Sequence, residues 1–185
     1  MKLSKNKFQF ALSLVLAVLS ISLAASAQDG STAAADPARE LDFMLGNWSV
    51  EAKILTPQIG YITGTGTMKV TFDKKTLLAE MRIKFQNFET NGTTKRIYDP
   101  IKKGWNVSWN PVGQPIVPDI DGKMAEGRFI EIDHGRDNRG AYIGRLVIFD
   151  ISKDKFSVRK DKIYDDGIIF PEIWMYEAVR IPDSR

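Results

Sequence analysis

From Asn47 onward the chain alternates. Trp48, Val50, Ala52 and Ile54 take one side and Ser49, Glu51 and Lys53 the other, a period of two that predicts a half-buried strand. A longer strand follows, with Ile62, Gly64, Gly66, Met68, Val70 and Phe72 opposite Thr63, Thr65, Thr67, Lys69 and Thr71, and Asp73-Lys74-Lys75 as its turn. Leu77, Ala79, Met81, Ile83 and Phe85 resume the alternation against Leu78, Glu80, Arg82 and Lys84, and Asn91-Gly92 is the next turn signal. Further strands are predicted near 94–99, 104–110, 123–133, 141–150, 155–164 and 168–181. Only Arg39–Leu45, with Leu41, Met44 and Leu45 ahead of Gly46, carries helical spacing. The pattern predicts an all-β domain of roughly eight to ten antiparallel strands behind one short N-terminal helix.

One spacing repeats. Ile97-Tyr98-Asp99 followed by Trp105-x-Val107 matches Ile148-Phe149-Asp150 followed by Phe156-x-Val158, each a strand, a turn and a strand. Repeated hairpins favour an up-and-down barrel, because closure removes the edges that an open sheet offers to other chains. Gly64 and Gly66 within one strand supply the bend that closure needs. A two-sheet sandwich is the alternative.

Ahead of the strands, Lys2, Lys5 and Lys7 precede an apolar run from Phe8 to Ala24 and the triplet Ala25-Ser26-Ala27. This predicts a signal peptide over residues 1–27, cleaved near Ala27, and hence a periplasmic or secreted product. Residues 28–38 are small and polar and are expected to be a flexible leader, 39–181 the barrel and 182–185 a tail. The charge picture changes with cleavage. The chain has 26 basic and 23 acidic residues, and the three lysines of the leader are the whole excess. A neutral domain argues against a nucleic-acid partner. With no Cys, neither a lipid-modified cysteine anchor nor a disulfide is available.

The missing residue types narrow the chemistry. A Cys–His enzyme is impossible, a His/Cys zinc site cannot be assembled from one histidine, and Ser49, Ser108, Ser152 and Ser157 stand in no Gly-x-Ser-x-Gly elbow. Gly64-Thr65-Gly66 lacks the third glycine of a dinucleotide fingerprint. Asp119, Asp121, Asp161, Asp165 and Asp166 do not follow calcium-loop spacing, and Asp165-Asp166-Gly167 is better explained as a turn. No catalytic residue and no metal site is assigned.

Aromatic and charged strand positions are the positive signal. Trp105 and Trp109 share a face, as do Trp174 and Tyr176, and rings lining a small barrel either fill it or wall a pocket. Glu126, Arg128 and Arg145 interrupt apolar strands, and Lys160 and Lys162 share parity with Phe156, Val158 and Tyr164. An inward Arg128 or Arg145 would orient an anionic head group. The segment Asn110–Gly122, stiffened by Pro111, Pro115 and Pro118, is expected to be a lid or a plug over one barrel end.

Phe43-Met44-Leu45-Gly46-Asn47-Trp48, with Ile97-Tyr98-Asp99-Pro100, Trp105, Trp109 and a last strand ending in Arg180, resembles the calycin superfamily. Within it the chain looks like secreted bacterial calycin-like proteins with an F-x-L-G-x-W opening and no assigned function, over residues 39–181. Gly46 would turn the chain into the first strand, Trp48 would close the barrel bottom and Arg180 would lie over its indole. The haem-binding nitrobindin type is a second relative. Its iron histidine has one candidate here, His134, in the polar segment Asp133–Gly140 expected to be a hairpin turn, which argues against haem.

The reading that follows is an exported barrel that binds a small, mainly apolar molecule, such as a fatty acid or isoprenoid. Trp105, Trp109, Trp174, Tyr176, Arg128 and Arg145 are its candidate ligand-binding residues. One alternative is an isomerase, cyclase or hydrolase on the same barrel using a carboxylate such as Glu126 or Glu172. The other is an envelope protein that binds a partner and no small molecule.

Overall fold

The computed structural model describes residues 36–182. Two 3₁₀ turns, Pro37–Arg39 and Asp42–Met44, stand where a short helix was expected. The first is started by Asp36, whose Oδ1 accepts from the Ala38 N–H, and by Pro37 with its preset φ. The last three positions of the predicted flexible leader are therefore structured. The predicted signal peptide lies outside the described residues.

Ten strands follow: β1 (Gly46–Thr56), β2 (Gly60–Asp73), β3 (Thr76–Phe85), β4 (Glu89–Asp99), β5 (Gly104–Pro111), β6 (Val117–Ala125), β7 (Arg128–Asp137), β8 (Gly140–Phe149), β9 (Lys155–Tyr164) and β10 (Ile169–Arg180). Each pairs antiparallel with the next, and β1 pairs with β10, so the sheet is a closed barrel and not a sandwich. Alternation was a sound guide to the strands and a weaker one to the turns. The run 123–133 is two strands, because Glu126 and Gly127 take φ of 51° and 72° and turn the chain between Ala125 and Arg128.

Asn91-Gly92 is no turn but part of β4, and the β3–β4 connection falls at residues 86–88. A Cβ on Gly92 would lie 2.5 Å from the Trp109 ring, so this glycine seats an indole. The expected lid Asn110–Gly122 is mostly strand, leaving residues 112–116 as the connection. The polar segment expected to turn at Asp133–Gly140 is also mostly strand, with its turn at Asn138-Arg139.

The repeated hairpins differ in facing. Tyr98 points inward and packs edge-on against Trp105 at 5.5 Å, whereas its counterpart Phe149 points outward beneath Arg159. The register explains it: Tyr98 pairs with Trp105, while Phe149 pairs with Ser157, one position past Phe156.

Successive turns of a meander alternate between the two ends of the barrel. The 3₁₀ turns tuck under the end that carries the β2–β3, β4–β5, β6–β7 and β8–β9 turns, burying Leu41 and Met44. The Trp48 indole, fully buried, donates to the Met44 carbonyl at 2.7 Å and packs edge-on against Phe156 at 4.8 Å. The Arg180 guanidinium sits 4.2 Å from the Trp48 ring centroid and donates to the carbonyls of Leu45 (2.6 Å), Phe43 (3.1 Å) and Lys153 (2.8 Å). Gly46, at φ 120°, must lack a Cβ, which would stand 2.6 Å from Arg180 Nη1. This end is sealed.

Candidate functional site

Toward the other end the core gives way to an internal cavity of about 280 Å³. Its apolar wall comes from Ile54, Met81, Trp109, Val117, Leu146 and Trp174. Around its rim the turns expose Ile59, Phe88, Val112, Ile116 and Ile168, and the start of β10 exposes Phe170, whereas the turns of the sealed end carry Lys74, Lys75, Lys102 and Lys103 beside Ile101.

Two inward ion pairs cross the cavity wall. Arg96 of β4 reaches Glu131 of β7, with Nε and Nη2 at 2.8 and 2.7 Å from Oε1, and the two residues are 3% and 5% exposed. Lys160 of β9 reaches Asp133 of β7 at 2.5 Å. Gly144 stands opposite Asp133 in the register, and any Cβ there would collide with the Asp133 carboxylate. Buried pairs of this kind are weakly stabilising at best, since desolvation offsets much of the attraction, but either partner alone would be costly. Tyr176 lies near the first pair: burial raises its hydroxyl pKa, Arg96 opposes the shift and Glu131 adds to it. The phenol therefore stays protonated at neutral pH.

The structure gathers Trp109, Trp174 and Tyr176 around the cavity and leaves the other three candidate residues elsewhere. Trp105 is fully buried toward the sealed end, where its indole donates to Glu40 Oε1 at 2.6 Å and packs edge-on against Phe129. Arg128 is exposed at the first position of β7, and Arg145 faces outward to Asp161 at 2.8 Å. Glu126 is an exposed turn residue, and Glu172 sits at the irregularity of β10, where its N–H donates to Asp161 Oδ1. Neither lines the cavity. His134, in strand β7, is exposed on the outer face. Lys162 reaches Asp137 at 2.8 Å and lies 4.2 Å over the Tyr142 ring.

Arg96, Glu131 and Asp133 were missed, and β7 shows why. Its alternation is inverted: Ile130 and Ile132 face outward, half-buried, while Glu131 and Asp133 face in. The usable signal was Phe129, whose inward parity carries both carboxylates with it.

A closed antiparallel meander around an internal cavity fits a calycin-like barrel. Among solved structures, the S-type phycobiliprotein lyase CPES from Guillardia theta is similar, with a TM-score of 0.54 at 11% sequence identity, covering 77% of this chain and 91% of that one. No protein-family model matches the chain, and no curated protein matches it by sequence. The likeness is one of fold. Among the described residues no helix is long and apolar enough to cross a membrane.

Proposed function

We propose that this protein is an exported, periplasmic or secreted barrel that binds one small, mainly apolar molecule in its internal cavity. The observation that carries the reading is the contrast inside the barrel: one end is packed solid, and the other holds space walled by Trp109, Trp174, Met81 and Leu146. The apolar rim gives a water-averse guest a path inward. About 280 Å³ lies just below the range of drug-sized sites, roughly 300–1,000 Å³, which suits a single chain or a single ring. The likeness of fold to a phycobiliprotein lyase is compatible with this reading. Export rests on the basic, apolar and small-residue succession of residues 1–27.

The test is native mass spectrometry of the protein recovered from the periplasm or medium of a bacterial host expressing the full chain, followed by organic extraction. The expected result is a chain lacking its first 27 residues, carrying a co-purified apolar molecule that solvent removes. An uncleaved chain recovered with the cytoplasmic fraction would end the export reading. Bare protein whose melting temperature no apolar probe shifts would end the binding reading.

A further inference from the structure

The two inward ion pairs differ in how far they are closed. Arg96 and Glu131 are almost wholly buried, with the guanidinium 5.9 Å from the Phe129 ring centroid. The second pair is open: Lys160 lines the cavity with 28% of its side chain exposed, and Asp133 with 8%. Lys160 shares its parity in β9 with Phe156 and Val158 of the core, so that exposed surface opens onto the barrel interior. Among the described residues its ammonium donates only to Asp133 Oδ2, which leaves two of three protons unused. Asp133 Oδ1 has no hydrogen-bond partner among them either. It is also not closed off, since the unpartnered side-chain atoms sealed from solvent are Asp42 Oδ1, Arg96 Nη1 and Arg159 Nε. Gly144 makes the arrangement possible, because without a side chain there the carboxylate lies over β8 and reaches across it to Lys160.

The open pair thus offers a spare donor and a spare acceptor side by side, in a cavity whose apolar wall includes Trp109, Trp174 and Met81. Its charges cancel. Arg96 and Glu131 are matched likewise, so a guest with a net charge of either sign would carry that charge out of water without a counterion to meet it. A neutral head that accepts from the ammonium and donates to the carboxylate satisfies both groups and avoids that cost. We infer that the guest is an uncharged amphiphile whose apolar body ends in a group that both accepts and donates, a primary carboxamide or an alcohol, held between Lys160 Nζ and Asp133 Oδ1. This rests on the binding-barrel reading and narrows it, since ionised fatty acids are then disfavoured.

The experiment is a titration of tryptophan fluorescence in the purified protein with octanamide, octanoate, octylammonium and octane, each checked by thermal shift. At pH 8, where the second and third are ions, octanamide is expected to bind about tenfold more tightly than either, the equivalent of one retained hydrogen bond. In the paired variant Lys160→Met with Asp133→Asn, which removes both charges together, octanamide is expected to weaken about tenfold while octane stays within about twofold. With ¹⁵N-labelled octanamide, one of the two amide protons is expected to move downfield on binding, as donation to a carboxylate requires. Octanoate or octylammonium binding as tightly as octanamide overturns the proposal and leaves the binding barrel standing. So does a variant that weakens octanamide no more than octane, and so do unmoved amide protons, a readout that needs no variant. If none of the four binds, the binding-barrel reading itself fails, and the narrower proposal with it.

Discussion

The two ends of this barrel are built from the same meander and both hold tryptophans, yet only one is filled. At the sealed end a tryptophan lies under an arginine whose guanidinium is engaged by three carbonyls, with Leu41, Met44 and Phe156 packed beside it. At the cavity end two tryptophans border space, and a buried arginine keeps one nitrogen without a partner. An aromatic residue in a small barrel is thus no indication of a pocket by itself. What distinguishes the ends is whether other side chains of the protein fill the volume beside the rings.

The contrast breaks most readily through the tryptophans. Trp48→Ala is expected to lower stability by about 3–5 kcal/mol, the cost of removing a fully buried ring, whereas Trp174→Ala costs below about 2 kcal/mol and abolishes ligand binding. Urea unfolding of both variants checks this, and equal losses would mean that the ends do not differ in packing. Next is the inward ion pair. Glu131→Ala, which strands the buried Arg96, is expected to cost about 3–5 kcal/mol, more than Arg96→Met with Glu131→Gln together, and a double-mutant cycle measures the difference.

Gly46→Ala sharpens the picture at the sealed end. The new methyl meets Arg180 at a backbone angle that disfavours side chains, and a loss of about 1–3 kcal/mol is expected, with no change in ligand affinity. The smallest effect concerns acid. Lys162, then the Tyr164 hydroxyl, hold the Asp137 carboxyl well below the usual range near the cavity mouth. A carboxyl depressed in the folded state contributes stability above its unfolded pKa of about 3.9 and loses it as pH falls further. Thermal melts of Asp137→Asn should therefore decline less below about pH 4 than those of the parent chain.

Much of the fold was legible because strands such as β1, β2 and β3 present a period of two to a one-sided core, and that period is set by burial. The connections were less legible, because a glycine has two uses. Gly127 and its neighbour Glu126 turn the chain, whereas Gly92, in an Asn-Gly pair that signals a hairpin, lies flat in a strand to admit Trp109. Sequence spacing does not separate a left-handed backbone from a close approach. The site was legible only in its aromatic part, Trp109, Trp174 and Tyr176. Its charged part depends on facing, and in β7 the isoleucines and the carboxylates exchange the sides that hydrophobicity alone would assign them. Arg128 and Arg145 drew notice as charges among apolar neighbours, while Arg96, between threonines and a tyrosine, stood out less.

The seam between β1 and β10 has a kinetic consequence. Every other pairing joins neighbours in the chain and is made by a local hairpin, but this one unites segments such as Leu45 and Arg180, 135 positions apart. A loop of that span closes late, after the intervening hairpins have shortened the distance between its ends. Until it does, both terminal strands present open edges to any neighbouring chain. The same arginine that covers Trp48 arrives with the last strand, so the sealed end is completed only in the step that completes the barrel.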